Sequence, residues 1–146
     1  MPHEHPPMDI LSQGSIPADI LENALLHETC YIAFRHDNIV GAFILAAVQN
    51  KTELVSFGIA AEFKLNLAGQ ALLMHALGKA KSRGADNMQV GISNAHIDLF
   101  TFFQKNGFRI SGIEKDYYYD ATLSRKSKNG ITLRDRLILS ISLQHF

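Results

Sequence analysis

The residues best placed to do chemistry lie at one junction, Ile59-Ala60-Ala61-Glu62-Phe63-Lys64-Leu65-Asn66-Leu67-Ala68-Gly69-Gln70. A strand there runs through a short loop of small and polar residues straight into a long helix. Free N–H groups at a helix start, aided by the helix dipole, seat a phosphate or pyrophosphate. Every strand-loop-helix junction has such groups, so on physics alone a plain connection is the simpler reading. The other reactive side chains are less organised. The chain has seven histidines but no H-E-x-x-H and no paired Cys/His spacing, so no metal is expected. His3 and His5 fall in a polar terminal segment, and His75 shares a helix face with Lys79 and Ser82. His96 opens a later helix near the junction. Cys30 near His27 reads as a strand-start cysteine, and the absence of G-x-S-x-G removes hydrolase chemistry of that type. The basic run Arg125-Lys126-Ser127-Lys128 reads as a solvated loop.

The elements that must hold this junction follow from periodicity. Residues 1–15, rich in Pro, His and Ser, are expected to be a flexible arm. Pro17 opens a short amphipathic helix reaching about His27, with Ile20, Leu21, Ala24 and Leu25 on one side. Cys30–Arg35, Ile39–Val48 and Thr52–Ala60 read as strands of an antiparallel meander. From Leu67 the spacing of Ala71, Leu72, Met74, Ala76, Leu77 and Ala80 is helical, and Gly84 terminates it. Met88–Ile92 follows by a right-handed crossover and is placed parallel to 52–60. Ser93 or Asn94 is expected to cap a second helix carrying Ile97, Leu99, Phe100, Phe102 and Phe103, ended by Gly107. Phe108–Tyr119 and Ile131–Leu143 are the last expected strands. The fold class is α+β, a mixed, mostly antiparallel sheet flanked by helices, with residues 16–146 as a single domain.

Composition bounds the function. At 146 residues the chain is long enough for one domain with a sizeable core. Fourteen basic and 14 acidic residues give no formal net charge, which argues against a nucleic-acid partner. One cysteine forms no internal disulfide and suits a reducing cytoplasm. The N-terminus lacks the order of a signal peptide, and the longest apolar run, 39–48, is too short to cross a bilayer as a helix. A cytoplasmic location with no membrane partner is therefore expected.

The order of elements and four local patterns resemble the GNAT superfamily of acetyl-CoA-dependent N-acyltransferases. Lys64-Leu65-Asn66-Leu67-Ala68-Gly69 is similar to its Q/R-x-x-G-x-G/A loop. Asn94 stands where the family has an Asn after the next strand. Phe103-Gln104-Lys105-Asn106-Gly107-Phe108 is similar to Y-x-K-x-G-F, and Asn129-Gly130-Ile131-Thr132-Leu133-Arg134-Asp135 to the N-G-I-x-x-R-D of one bacterial subgroup.

The resemblance implies acetyl-CoA as cosubstrate, in a cleft where a parallel pair, the third and fourth strands, splays apart. Pantetheine would pair with the backbone of Ile59, Ala60 and Ala61. The pyrophosphate would sit on Lys64, Leu65, Asn66, Leu67, Ala68, Gly69 and Gln70. Asn94 would contact the pantetheine arm, with Phe103 and Lys105 alongside. A small-molecule or peptide amine would attack the thioester directly. A base is then needed, because a protonated amine of pKa near 10 is no nucleophile at pH 7. Glu53, six residues before Ile59, matches the carboxylate base of some relatives. Phe103 replaces the tyrosine that often protonates the leaving thiolate. Of Tyr117, Tyr118 and Tyr119, Tyr118 is the expected substitute, on the opposite strand face from its neighbours. Leu67 replaces the middle glycine of the loop. Either it adopts positive φ, at about 1–2 kcal/mol, or its side chain turns outward. The alternative function is a degenerate member that binds CoA or a partner without turnover. A homodimer through the last strands is also expected.

Overall fold

The computed structural model describes residues 6–118 and 127–144. Thr29–Arg35 (β1), Asn38–Val48 (β2) and Lys51–Ile59 (β3) form the expected antiparallel meander. Asn87–Ser93 (β4) returns parallel to β3, but the two pair only from Lys51↔Asn87 to Leu54↔Val90. The cause lies in β3. Its partners on β2 step from Ser56↔Ile44 to Leu54↔Leu45, so Val55 is an extra residue. Such a bulge bends its strand. Beyond it β3 diverges from β4, which is the splayed pair anticipated from the sequence.

Gln70–Ser82 (α3) links β3 to β4 after one π-helical turn, Leu65–Gly69. Its buried row is Leu72, Leu73, Ala76, Leu77 and Ala80, whereas Ala71 and Met74 are exposed. The expected row began at Leu67, inside the π turn. That turn delays the α-helix and rotates its face, so Leu73 takes the core position. Ile97–Lys105 (α4) packs Leu99, Phe102 and Phe103 into the same core. Gly84 and Gly107 end α3 and α4 at φ 86° and 97°, as expected. Neither Ser93 nor Asn94 caps α4. His96 holds that position without a side-chain cap bond, while Ser93 Oγ accepts the Ala95 N–H at 3.2 Å.

The other sheet face is covered by Met8–Leu11 (α1) and Ala18–His27 (α2). In its described part, the segment expected to be a flexible arm is packed. Ile10 and Leu11 are 5% and 0% exposed against Ala42 and Ile44, and the Ser56 hydroxyl donates to the Leu11 carbonyl. Apolar residues in a Pro- and Ser-rich setting outweigh the composition around them. In α2, Leu21 and Ala24 are buried and Ile20 stays exposed.

The C-terminal expectations need two corrections. Arg109–Glu114 (β5) ends before the tyrosines, so Tyr117 and Tyr118 lie in a turn and strand alternation does not govern their faces. Tyr119, Arg125 and Lys126 fall outside the described residues. The strand expected over 131–143 is divided. Ser127–Lys128 (β6) and Ile131–Thr132 (β7) make a small hairpin around Asn129 and Gly130, whose φ of 56° and 73° suit the twist of a two-residue turn. Arg136–Ser142 (β8) then inserts between β4 and β5, giving the order β1-β2-β3-β4-β8-β5. Among the described residues, no helix is long and apolar enough to cross a membrane.

Candidate active site

The fork between β3 and β4 exposes backbone that a normal sheet would pair. The Ala60 N–H donates to the Val40 carbonyl at 2.7 Å, so in this antiparallel register Ile59 turns its own N–H and C=O away from β2 and into the fork. A side chain meets both groups there. Gln13 Nε2 donates to the Ile59 carbonyl at 2.7 Å, and Gln13 Oε1 accepts the Ile59 N–H at 3.2 Å. A carboxamide therefore fits this edge.

The loop after β3 closes on itself. The N–H groups of Leu67, Ala68 and Gly69 converge on the Lys64 carbonyl at 3.1, 2.9 and 3.4 Å, so the earlier amides, Leu65 and Asn66, are the ones left facing out of the turn. Leu67 is not among the residues with positive φ and is 66% exposed. Its side chain turns outward, so no backbone strain is stored. Gly69 is buried, and a Cβ there would stand 3.0 Å from Leu65 Cδ1 and 3.4 Å from the Phe102 ring. Ala60 is buried against the α1 face, while Ala61, Lys64, Asn66 and Gln70 are exposed.

On the α2 face of the same sheet lies a cavity of about 440 Å³. Glu53, Tyr117, Tyr118 and Arg136 line it, and Gly14, Ile16, Val55 and Gly91 line both it and the narrow slot inside the fork. The fork therefore opens into the cavity. Arg136 Nη2 donates to Glu53 Oε2 at 3.0 Å and its Nη1 to Glu114 Oε1 at 2.9 Å, while the guanidinium carbon sits 5.0 Å from the Tyr117 ring centroid. Gly91 makes room, since a Cβ there would overlap the guanidinium. Burial disfavours the Arg136 charge, but the Glu53 hydrogen bond and the nearby Tyr117, Glu114 and Glu53 raise its proton affinity overall. Tyr118 is 2% exposed, and burial, reinforced by Tyr117, pushes its phenol up to about 12. It stays protonated across the neutral range.

The Acetyltransferase (GNAT) family model matches residues 3–108. The chain belongs to this family. It is 31% identical over 139 residues to the protein called uncharacterized N-acetyltransferase YvbK of Bacillus subtilis (strain 168), covering 92% of this chain and 88% of that one. It is similar to the structure of an IAA acetyltransferase from Bacillus cereus ATCC 14579, with a TM-score of 0.87, 25% identity, and 97% and 95% of the two chains covered. A GNAT family acetyltransferase from Elizabethkingia anophelis, solved with acetyl-CoA bound, superposes with a TM-score of 0.86 at 26% identity over 97% and 94% of the chains.

Within this GNAT fold the sequence-selected residues divide. Glu53 and Tyr118 meet on one cavity, although the sequence separates them widely. Phe103 reaches the fork slot, yet it is 1% exposed and packed edge-on to Phe57, Phe102 and Phe108, so it is core wall. Lys105 is exposed at the end of α4 and lines neither cavity nor slot. Asn94 is committed elsewhere. Its Nδ2 donates to the Thr132 carbonyl at 3.1 Å, and its Oδ1 accepts the N–H of Arg134 at 2.9 Å and of Asp135 at 3.1 Å. These bonds clasp the segment that delivers Arg136. The Arg134–Asp116 ion pair at 2.7 Å fastens the same segment to the tyrosine turn. Sequence reasoning missed Arg136, Gly91 and Gln13. A lone cation opening the apolar strand Arg136-Leu137-Ile138-Leu139 was a usable signal for the first. Among the described residues no group of three metal-ligating side chains gathers.

Proposed function

We propose that the protein moves the acetyl group of acetyl-CoA to a small cationic amine held in the cavity of Glu53, Tyr118 and Arg136. The observation that carries this is the connection of the fork to that cavity. Acetyl-CoA supplies an activated thioester. The Ile59 edge and the exposed amides of the 64–70 loop supply the hydrogen-bond complement for pantetheine amides and pyrophosphate. The bound ammonium first gives a proton to Glu53, whose Oε1 is the oxygen not bonded to Arg136. The free amine then forms the new C–N bond as the C–S bond breaks, and the second nitrogen proton passes through solvent to the departing thiolate. The Tyr118 hydroxyl donates a hydrogen bond to the departing sulfur. A thiol's pKa near 8.5 makes thiolate a fair leaving group.

Charge selects the acceptor class. Glu28 and Glu53 line the cavity, and the Arg136 guanidinium, the one cation among the described lining residues, is already divided between Glu53 and Glu114. Ile16, Ile20, Val48 and Val55 supply an apolar wall. An ammonium group on an apolar body suits this lining better than an amino acid bearing a carboxylate. Leu67 turns outward without positive φ, which removes the strain argument for a non-catalytic binder, while Phe103, which has no proton to donate, still favours that second reading. Cytoplasmic location, a single domain that takes in the packed α1 segment together with residues 16–146, and pairing of two copies through the last strands belong to the same reading.

Thermal unfolding with acetyl-CoA, with ATP as polyanion control, tests the first half. Ligand at 100 times Kd stabilises by about 2.7 kcal/mol, or roughly 5–10 °C at 2–4 °C per kcal/mol. Release of free thiol with alkylamines and arylalkylamines, and little with amino acids, tests the second. No shift with acetyl-CoA refutes the cofactor site, and a preference for amino acids refutes the acceptor class.

A further inference from the structure

The segment between α1 and α2 crosses the mouth of the fork and is tied to both banks. Gln13 holds Ile59 on the β3 side, as described. On the β4 side, Ser15 Oγ and His96 Nε2 share a hydrogen bond at the start of α4. Between these ties, Gly14 lines the fork slot and the amine cavity together. Ser15 adopts φ 58°, the left-handed region, as the chain turns back toward α2.

We propose that the Gln13 carboxamide is a releasable stand-in for a pantetheine amide, so that acetyl-CoA entry unlatches the Gln13–Ser15 strap and reshapes the amine cavity. The inference rests on the acetyl-CoA reading above. A carboxamide offers an N–H donor and a C=O acceptor, the same complement that a secondary amide of an extended arm presents to a strand edge. The Ile59 N–H carries one proton, so Gln13 and a pantetheine amide exclude each other there. Gln13 is otherwise exposed and regains water when it leaves, so the latch is weak and reversible. Because the strap walls the cavity, its release couples the two sites, and the amine binds in its reactive pose after acetyl-CoA.

The experiment compares wild type with Gln13→Ala. Calorimetric titration with acetyl-CoA should give a Kd about three- to tenfold lower in the variant, the scale of two solvent-accessible hydrogen bonds. In the ligand-free proteins, NMR hydrogen exchange at the Ile59 N–H should be about three- to tenfold slower in wild type than in Gln13→Ala. If the variant lowers the melting temperature, Gln13→Asn, whose carboxamide falls one methylene short, must give the same gain in affinity. Equal affinities, or weaker binding by both variants, overturn the latch, as does equal exchange at the Ile59 N–H in wild type and Gln13→Ala. Failure of wild type and variants alike to bind acetyl-CoA overturns the cofactor reading and this role with it.

Discussion

The two sides of the fork are assembled from very different lengths of chain. The side facing α3 and α4 is one run of sequence, with β3, the π turn, α3, β4 and α4 following without interruption. The side facing α2 gathers Ile16, Glu53, Gly91, Tyr118 and Arg136 from five separate segments. A contiguous side keeps its geometry through local hydrogen bonds, as when three amides close on the Lys64 carbonyl. A gathered side needs long-range clasps, and Asn94 and the Arg134–Asp116 pair are two of them. The contiguous half thus suits the proposed acetyl-CoA, and the gathered half suits the proposed amine acceptor.

Glu53→Gln should separate the two sides most sharply. The amide oxygen can still accept from Arg136, so the cavity keeps its shape while the proton acceptor is lost. Turnover at neutral pH should fall by about 10²–10⁴, the usual worth of a placed base, with acetyl-CoA affinity within about twofold of wild type. Unchanged turnover in a free-thiol assay would leave Glu53 a positioning partner of Arg136 and move the proton to water.

Gly69→Glu attacks the contiguous side. Its Cβ meets Leu65 at 3.0 Å, and its carboxylate sets a negative charge beside the phosphate seat. Acetyl-CoA affinity should drop by roughly 100-fold, which erases most of the ligand-induced rise in melting temperature. A retained shift would show that the phosphates bind away from this loop.

The same contrast explains what the sequence disclosed. The meander, the crossover and the parallel pair are written in local periodicity and neighbouring residues, and the structure has them where expected. Periodicity alone misplaces the face of α3, because a π turn, which has no composition signature, shifts where the helix begins. The tyrosine run has the aromatic content that favours a strand, whereas the Asp116 and Asp135 contacts hold it in a turn. Glu53 is reached through resemblance and Tyr118 through a strand alternation that the turn at 115–118 does not have, and nothing local shows that β8 brings Arg136 between Glu53 and Glu114. Gln13 carried no signal, since a glutamine in a polar segment looks like solvent-facing chain until Ile59 is seen opposite it.

The smallest expected effect is one of pH, on the strap that joins the two sides. His96 is 5% exposed, and burial holds its pKa below the ordinary 6.5. Lys128 pushes the same way and Asp98 opposes. Between that lowered value and 6.5 the unfolded chain binds more protons than the folded one, so stability rises with pH through the window. The contribution is complete above 6.5 and is lost as pH falls through the folded value. Protonation would place charge in a buried position next to Ser15 and loosen one tie of the strap, while the 64–70 loop is untouched. Melting temperature followed from about pH 7.5 down to about pH 4.5 should fall a few degrees further in wild type than in His96→Gln, at roughly 2–4 °C per kcal/mol. Parallel curves would mean that His96 remains neutral throughout or that its contact with Ser15 carries no stability, and the strap would then be held to the fork by Gln13 alone.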